Sequence, residues 1–143
     1  MGDFERSRTA EILLVEDNAA EVGLVREAFK EIKTPHHVSV AGTGAAALDY
    51  LRAGNPRPDL VLLDLKLPDI HGLEILSAIK SDPAFRRIPT VVFSASLNRQ
   101  EVVEAYNRNA NSYIAKPSTL DDYIRVIRGV EEFWLTVVKL PKD

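Results

Sequence analysis

Short apolar runs alternate along this chain with segments whose apolar residues recur at helical spacing. Apolar runs without polar alternation are typical of strands that are covered on both faces, as in parallel sheets. Three such runs, Ile12–Val15, Leu60–Leu63 and Thr90–Phe93, predict β-strands, and so do the alternating segment Val38–Ala41 and the short segment Ser112–Ala115. Each of them is followed by polar residues or by Pro and Gly, so the chain predicts five strands that are separated by loops and helices.

The segments between the runs predict α-helices, because their apolar residues lie three or four positions apart. The helical patterns are Val22–Ile32, Ala45–Leu51, Leu73–Ile79, Val102–Tyr106 and a long last helix that begins near Ser118 or Thr119. "STLDD" offers a capping box for the last helix, whose buried face is predicted to include Leu120, Tyr123, Ile124 and Ile127. Five β–α repeats predict an α/β fold with a doubly wound five-stranded parallel sheet.

Length and composition exclude several classes of function. The 143 residues suit one domain, and 45% apolar residues are enough for a core. A net charge of −3 gives no electrostatic reason to expect DNA binding or an anionic membrane partner. The absence of cysteine excludes thiolate metal sites, and His36, His37 and His71 lack ligand spacing. With no apolar run near ~18 residues and a polar N-terminus, we expect a soluble cytoplasmic protein.

Residues with reactive side chains follow four of the predicted strands. Glu16 and Asp17 follow the first strand, Asp64 the third, Ser94 the fourth and Lys116 the fifth. The carboxyl ends of parallel strands lie at one edge of the sheet, where open α/β folds place their sites. The sequence therefore predicts a cluster of three acids, one hydroxyl and one ammonium.

This cluster favours phosphoryl transfer. Three ionised carboxylates repel each other unless a cation lies between them, and one lysine supplies one charge against three. An all-oxygen ligand set favours Mg²⁺ over zinc. The chain has no GxxxxGK[ST] phosphate-binding loop, so the donor has to bring its own activated phosphoryl group. A carboxylate nucleophile then forms an aspartyl phosphate.

The stretches that carry these residues resemble the receiver domain of two-component response regulators. They are "ILLVEDN" (12–18), "LVLLDLKLPDIHG" (60–72), "VVFSAS" (91–96) and "YIAKP" (113–117), and the resemblance covers roughly residues 10–130. It implies a CheY-like (βα)5 fold with strand order 2-1-3-4-5. It also implies that a histidine kinase is the phosphoryl donor.

The resemblance assigns roles to the acidic residues. Asp64 is implied as the phosphoacceptor, and Glu16, Asp17 and Asp64 as ligands of Mg²⁺ together with the backbone carbonyl of Lys66. The Lys66 side chain occupies a position that affects the lifetime of the phosphoryl group in this family. The family also implies that this protein is a phosphoacceptor rather than an enzyme with a separate substrate, although it promotes its own phosphorylation and dephosphorylation.

Further roles are implied around the fourth and fifth strands. Ser94 and Lys116 contact the phosphoryl group in proteins with this pattern, and Tyr113 matches an aromatic switch that works with Ser94. The peptide bond between Lys116 and Pro117 is usually cis in the family.

The C-terminal segment "FWLTVVKLP" (133–141) is similar to the tails of small stand-alone regulators that are paired with bacterial phytochromes. We therefore expect an N-terminal extension (1–9), a receiver domain (10–132) and an apolar tail (133–143) that continues the last helix, with no output domain. The apolar residues of the tail predict a homodimer contact or, alternatively, a tail that folds back onto its own domain. The predicted interface residues are Phe133, Trp134, Leu135 and Val138.

Three other functions are compatible with parts of the pattern. An aspartate-nucleophile phosphatase of the haloacid dehalogenase type needs DxD, whereas Lys66 stands two residues after Asp64. A flavin-binding module of the flavodoxin type needs a phosphate loop after the first strand, where "EDNAAE" is acidic. A pseudo-receiver that only binds partners would not be expected to retain the full set of reactive residues.

Overall fold

Five parallel strands pair in the order β2-β1-β3-β4-β5 in the computed structural model, which describes residues 9–137. The strands are Glu11–Val15 (β1), His37–Ala41 (β2), Leu60–Leu63 (β3), Thr90–Ser94 (β4) and Ser112–Ala115 (β5). The helices are Ala19–Lys30 (α1), Gly44–Arg52 (α2), Gly72–Ser81 (α3), Arg99–Asn107 (α4) and Leu120–Glu132 (α5). The predicted fold class and strand order are confirmed.

The apolar strands form two cores because successive side chains point to opposite faces of the sheet. Leu13 and Leu63 pack with Ile75 and Leu76 of α3 on one face, which α2 and α4 also cover. The other face carries α1 and α5, and its buried residues include Leu14, Phe29, Phe93, Tyr123 and Ile127. Every residue of β3 and β4 is buried, as expected for central strands of a covered sheet.

One predicted core position in a helix, Leu120, is wrong, and two apolar residues of α4 are exposed. Val103 and Tyr106 of α4 are 49% and 48% exposed, because this helix turns the small side chain of Ala105 toward the core. Leu120 is 39% exposed, because it is the first residue of α5 and lies at the open end of the helix. Thr119 caps α5 as predicted and accepts a hydrogen bond from the Asp122 N–H at 3.2 Å.

The family feature of a cis peptide between Lys116 and Pro117 is also absent. Residues 9–137 contain no cis peptide bond. A trans bond is the default before proline, where it is favoured by about 0.5–1 kcal/mol in the absence of other constraints.

A π-helical turn, Phe133–Val137, continues α5 directly. Leu135 is buried and Trp134 is half-buried against the α1–α5 core, whereas Phe133 is 52% exposed. The tail thus packs in part on its own domain. Val138 and most of the 1–9 extension lie outside the described residues. None of the helices within 9–137 has the length and apolar character needed to cross a bilayer.

Candidate functional site

Lys116 lies between two buried acids at the carboxyl edge of the sheet. Its Nζ is 2.6 Å from Oε1 of Glu16 and 3.5 Å from Oδ1 of Asp64. Carboxylate oxygens of Glu16, Asp17 and Asp64 all lie within 4.8 Å of one another. Ser94 is buried at the end of β4, between the strands that precede Asp64 and Lys116. The structure therefore brings the predicted acids and Lys116 together, with Ser94 at the same sheet edge.

Backbone hydrogen bonds extend the sheet beyond the strand ends and fix these residues. The Asp64 N–H donates to the Val15 carbonyl at 3.0 Å, and the Glu16 N–H donates to Ala41 at 3.0 Å. The Lys116 N–H donates to the Ser94 carbonyl at 2.9 Å. Because Glu16, Asp64 and Lys116 each directly follow a strand and Ser94 ends one, the backbone of these four residues has little freedom.

Burial and charge act in opposite directions on this group. Burial raises the pKa of Glu16, and the hydrogen bond from Lys116 offsets only part of the effect. Burial likewise raises the pKa of Asp64, although Lys116 and the Leu65 N–H favour its ionised form. Burial lowers the pKa of Lys116, but its contacts with the carboxylates outweigh this and raise the pKa overall. Lys116 therefore keeps its proton, and its single positive charge does not balance the three acids of the site.

The donor set fits a divalent metal. Glu16 and Asp64 are buried, while Asp17 is exposed and leaves a side open to water. Three carboxylate oxygens in reach of one another are ligands that hard divalent cations prefer. The single charge of Lys116 does not balance the three acids, so a metal would relieve their repulsion. The role of the Lys66 carbonyl stays a prediction.

The loop after β4 is bonded to both predicted switch residues. The Ser94 Oγ accepts from the Ser96 N–H at 3.2 Å, and the Tyr113 hydroxyl donates to the Ser96 carbonyl at 2.8 Å. The Tyr113 N–H in turn donates to the Tyr106 hydroxyl at 3.1 Å. This geometry joins Ser94, the loop and the α4–β5 surface, while the switch itself stays a prediction.

Asp69 and Gly72 hold the loop that follows Asp64, and sequence reasoning missed both. The Asp69 carboxylate accepts from the backbone N–H groups of Gly44 and Ala45 at 2.8 and 3.0 Å, and these bonds lower the pKa of Asp69. Gly72 crosses the backbone of Asp64 so closely that a Cβ there would lie 2.3 Å from the Asp64 carbonyl oxygen. The glycine could have been suspected from its place eight residues after the acid, but the partners of Asp69 are backbone N–H groups at the start of α2.

Sequence reasoning also missed Glu21 and Tyr123. Oε1 of Glu21 in α1 lies 3.9 Å from the Lys116 Nζ and accepts a hydrogen bond from the Tyr123 hydroxyl. A phenol within the apolar stripe of α5 was the available clue, since a buried tyrosine hydroxyl usually needs a partner. Glu21 lies in the first turn of α1, four residues after Asp17, which precedes the helix.

The family model described as "Response regulator receiver domain" matches residues 12–128. Response regulator Rcp1 of Synechocystis sp. is 40% identical over 135 residues, covering 91% of this chain and 92% of the relative. Its Mn²⁺-bound crystal structure has a TM-score of 0.86 at 39% identity and covers 93% of this chain and 99% of that one.

Two further relatives show the range of similar proteins. The crystal structure of the phosphorylated cyanobacterial phytochrome response regulator RcpA has a TM-score of 0.90 at 42% identity, covering 94% of this chain and 99% of that chain. The probable methanogenesis regulatory protein FilR2 of Methanothrix harundinacea is 41% identical over 128 residues, covering 87% of this chain and 83% of the relative. The relatives thus include a phytochrome response regulator, RcpA, and a probable regulator of methanogenesis, FilR2.

Proposed function

Because this chain belongs to the response regulator receiver domain family and is related to phytochrome response regulators, we propose that Asp64 is its phosphoacceptor and that a histidine kinase is the donor. The observation that carries the proposal is the buried Asp64 carboxylate, which lies 3.5 Å from the Lys116 ammonium beside an acid pair that can bind metal. The protein acts as a signalling protein, and the reaction on Asp64 is part of its own switching.

The transfer uses Lys116, whose ammonium already lies 3.5 Å from Asp64, and Ser94 at the same edge of the sheet. A carboxylate oxygen of Asp64 forms a bond to phosphorus, the P–N bond of the donor phosphohistidine breaks, and its electron pair remains on the imidazole. Lys116 and the Ser94 hydroxyl bind oxygens of the transferred group and stabilise the charge that develops on them. The fixed backbone of these residues holds the donors in place before the reaction.

Mg²⁺ is the proposed metal, held by Glu16, Asp17, Asp64 and the carbonyl of Lys66. When bound, it neutralises charge on the phosphoryl oxygens. The all-oxygen donor set and the exposed position of Asp17 support a metal that keeps some of its water ligands. The exposed Lys66 side chain is proposed to affect the lifetime of the phosphoryl group.

The acceptor is tested with a small phosphodonor. With Mg²⁺ and acetyl phosphate, intact-mass measurement should show one added phosphoryl group on the native protein and none on Asp64→Asn, because an amide is a poor nucleophile. Asp49→Asn, an exposed acid on α2, is the matched control and should be labelled like the native protein. Equal labelling of Asp64→Asn would refute the assignment.

The partner is proposed to be a phytochrome-type kinase, a bacteriophytochrome where the host is a bacterium. The support is the similarity to Rcp1 and RcpA together with the apolar tail. A cytoplasmic location and the absence of direct DNA binding belong to the same proposal. Phosphotransfer profiling, with phytochrome kinases and unrelated histidine kinases compared at short times, tests the choice of kinase. Faster transfer from the unrelated kinases would contradict it.

Phosphorylation is proposed to switch the surface formed by α4, β5 and α5. A phosphoryl group that draws in the Ser94 hydroxyl would disturb the Ser96 peptide, to which the Tyr113 hydroxyl is bonded. Such coupling needs only about 1–3 kcal/mol. Ser94→Ala should still accept phosphate but should change partner affinity less than the native protein. Equal partner affinity of the native protein before and after phosphorylation would contradict the switch.

A homodimer through the tail completes the proposal, with residues 10–132 as the receiver unit. Phe133 is exposed, and its ring packs edge-to-face on that of Trp134 at a centroid distance of 5.1 Å. Burying one such aromatic ring contributes about 1.5–3 kcal/mol. Sedimentation should show a dimer that Phe133→Ala weakens, while Leu97→Ala, which removes an apolar side chain 76% exposed outside the tail, leaves it intact. A monomeric native protein would refute this part.

A further inference from the structure

One carboxylate oxygen connects α5 to the reactive lysine. Oε1 of Glu21 accepts the hydrogen bond of the Tyr123 hydroxyl, and the same oxygen lies 3.9 Å from the Lys116 Nζ. The two residues of the hydrogen bond are 102 positions apart in the sequence and meet where α1 packs on α5. Neither residue belongs to the group of three acids that could hold a metal.

Tyr123 is held in place by the core and not by solvent. Its residue is fully buried, and its ring packs edge-to-face on Phe93 at a centroid distance of 5.8 Å. Phe93 directly precedes Ser94, so the phenol is anchored beside the end of β4. The Glu21 side chain is 29% exposed, and the phenol is therefore the rigid member of the pair.

Lys116 has more acidic neighbours than it can serve equally. Glu16 already holds the ammonium at 2.6 Å, and Asp64 lies at 3.5 Å. A third carboxylate at hydrogen-bond distance would draw the ammonium away from Asp64. At 3.9 Å the Glu21 oxygen adds negative charge but is too far away for a direct hydrogen bond.

We propose that Tyr123 is a positioning residue for Lys116 and that it acts through Glu21. The Tyr123 hydroxyl holds the Glu21 carboxylate back from the ammonium, so that Lys116 remains directed at Asp64 and at the phosphoryl group Asp64 receives. Without the hydroxyl, Glu21 rotates toward Lys116 and competes for it. This inference rests on the proposed function of Asp64 and Lys116, and adds the residues that set the availability of the ammonium.

The test is a double-mutant cycle with Tyr123→Phe and Glu21→Gln. The phosphorylation rate is measured at saturating acetyl phosphate and Mg²⁺. Tyr123→Phe should slow it about three- to tenfold, the effect of part of one charge-assisted hydrogen bond. Glu21→Gln should be as fast as the native protein or faster. The combined variant should recover the Glu21→Gln rate, because an uncharged amide does not compete for Lys116.

A second readout follows Lys116 without phosphorylation. The NMR resonance of its side-chain ammonium, assigned by its loss in Lys116→Arg, should shift in Tyr123→Phe and should not shift when the same change is made in Glu21→Gln. Tyr50→Phe is the matched control. Tyr50 lies on α2, away from the site, and the hydroxyl that this change removes is bonded to Ser39 Oγ at 3.1 Å. It should alter neither the rate nor the resonance.

Two results would overturn the positioning role. One is an unchanged rate and resonance in Tyr123→Phe. The other is a combined variant as slow as Tyr123→Phe alone, which would mean that the phenol acts through packing or stability rather than through Glu21. A native protein that is not phosphorylated at Asp64 would instead refute the proposed function, and the ammonium resonance would still decide whether Tyr123 positions Lys116 through Glu21.

Discussion

Removing the Lys116 ammonium is expected to destabilise the fold strongly in the absence of divalent ions. Glu16 and Asp64 are only 3% and 6% exposed, and Lys116 contacts both of them. Lys116→Met keeps much of the aliphatic stem but leaves two buried carboxylates without a counter-charge. Breaking a buried pair in this way costs about 3–5 kcal/mol. In a domain of this size the melting temperature should then fall by roughly 10 °C.

The assay is urea unfolding at pH 7 in EDTA, with the slope against urea checked for constancy so that the shift in midpoint reports stability. Lys116→Met/Glu16→Gln should recover a large part of the loss, because it removes one of the two stranded charges. Lowering the pH should also restore the single variant. A buried acid with a raised pKa binds a proton more readily in the folded than in the unfolded chain, so stability rises as the pH falls toward the ordinary values of 3.8 and 4.5 for Asp64 and Glu16.

The reasoning is refuted if Lys116→Met loses less than about 1 kcal/mol, the range of an exposed ion pair. It is also refuted if the double variant is no more stable than the single one, because the loss would then come from packing. Mg²⁺ gives a further check on the single variant. A metal bound at one hundred times its Kd adds about 2.7 kcal/mol, and should therefore replace much of what the ammonium supplied.

The remaining predictions concern the metal, one glycine and pH. Mg²⁺ should raise the melting temperature of the native protein. Asp17→Ala should lose this gain without losing stability in EDTA, since Asp17 is exposed and adds to the repulsion between the acids. Calorimetry with and without Mg²⁺ measures this, and a gain that survives in Asp17→Ala would contradict it. Gly72→Ala should destabilise the fold and slow phosphorylation, because the added Cβ would meet the Asp64 carbonyl. Gly23→Ala on α1, where an added Cβ has no neighbouring atom within 4 Å, should stabilise the fold by about 0.5–1 kcal/mol. Equal urea midpoints for the two variants would contradict this prediction. In EDTA the native protein should gain stability as the pH falls from 7 toward 5, because the pKa values of Glu16 and Asp64 are raised in the folded state; a urea midpoint that falls over this range would contradict the burial argument.

Sequence patterns predicted best what depends on local periodicity. The apolar runs of β3 and β4 have the length and the lack of polar alternation that are typical of covered strands, and the place of Asp64 at the sheet edge follows from its position directly after β3. Helix faces were predicted less well. Leu120 was predicted to be buried with the apolar stripe of α5, yet it is the first residue of that helix and is 39% exposed, which its spacing does not reveal.

The parts of the site that sequence reasoning missed depend on contacts between distant segments. Tyr123 and Glu21 meet only because α1 and α5 cover the same face of the sheet. The partners of Asp69 are backbone N–H groups, which carry no mark in the sequence. The tail is a further example. Leu135 is buried because of the direction that the π-helical turn gives its side chain, and this direction cannot be read from the apolar pattern of the tail.

The bond from Asp69 to the start of α2 has a consequence for building chimeric receivers. The acceptor loop is not an independent module, because its carboxylate completes a helix cap that belongs to the segment before β3. Gly44 at that cap also lies under Ile75, whose Cδ1 would be 2.7 Å from an added Cβ. A transplanted 64–75 segment therefore needs a glycine at position 44 in its new host. A recombination point anywhere between the start of α2 and Asp64 separates position 44 from this segment, so it would be tolerated only where the host already has that glycine.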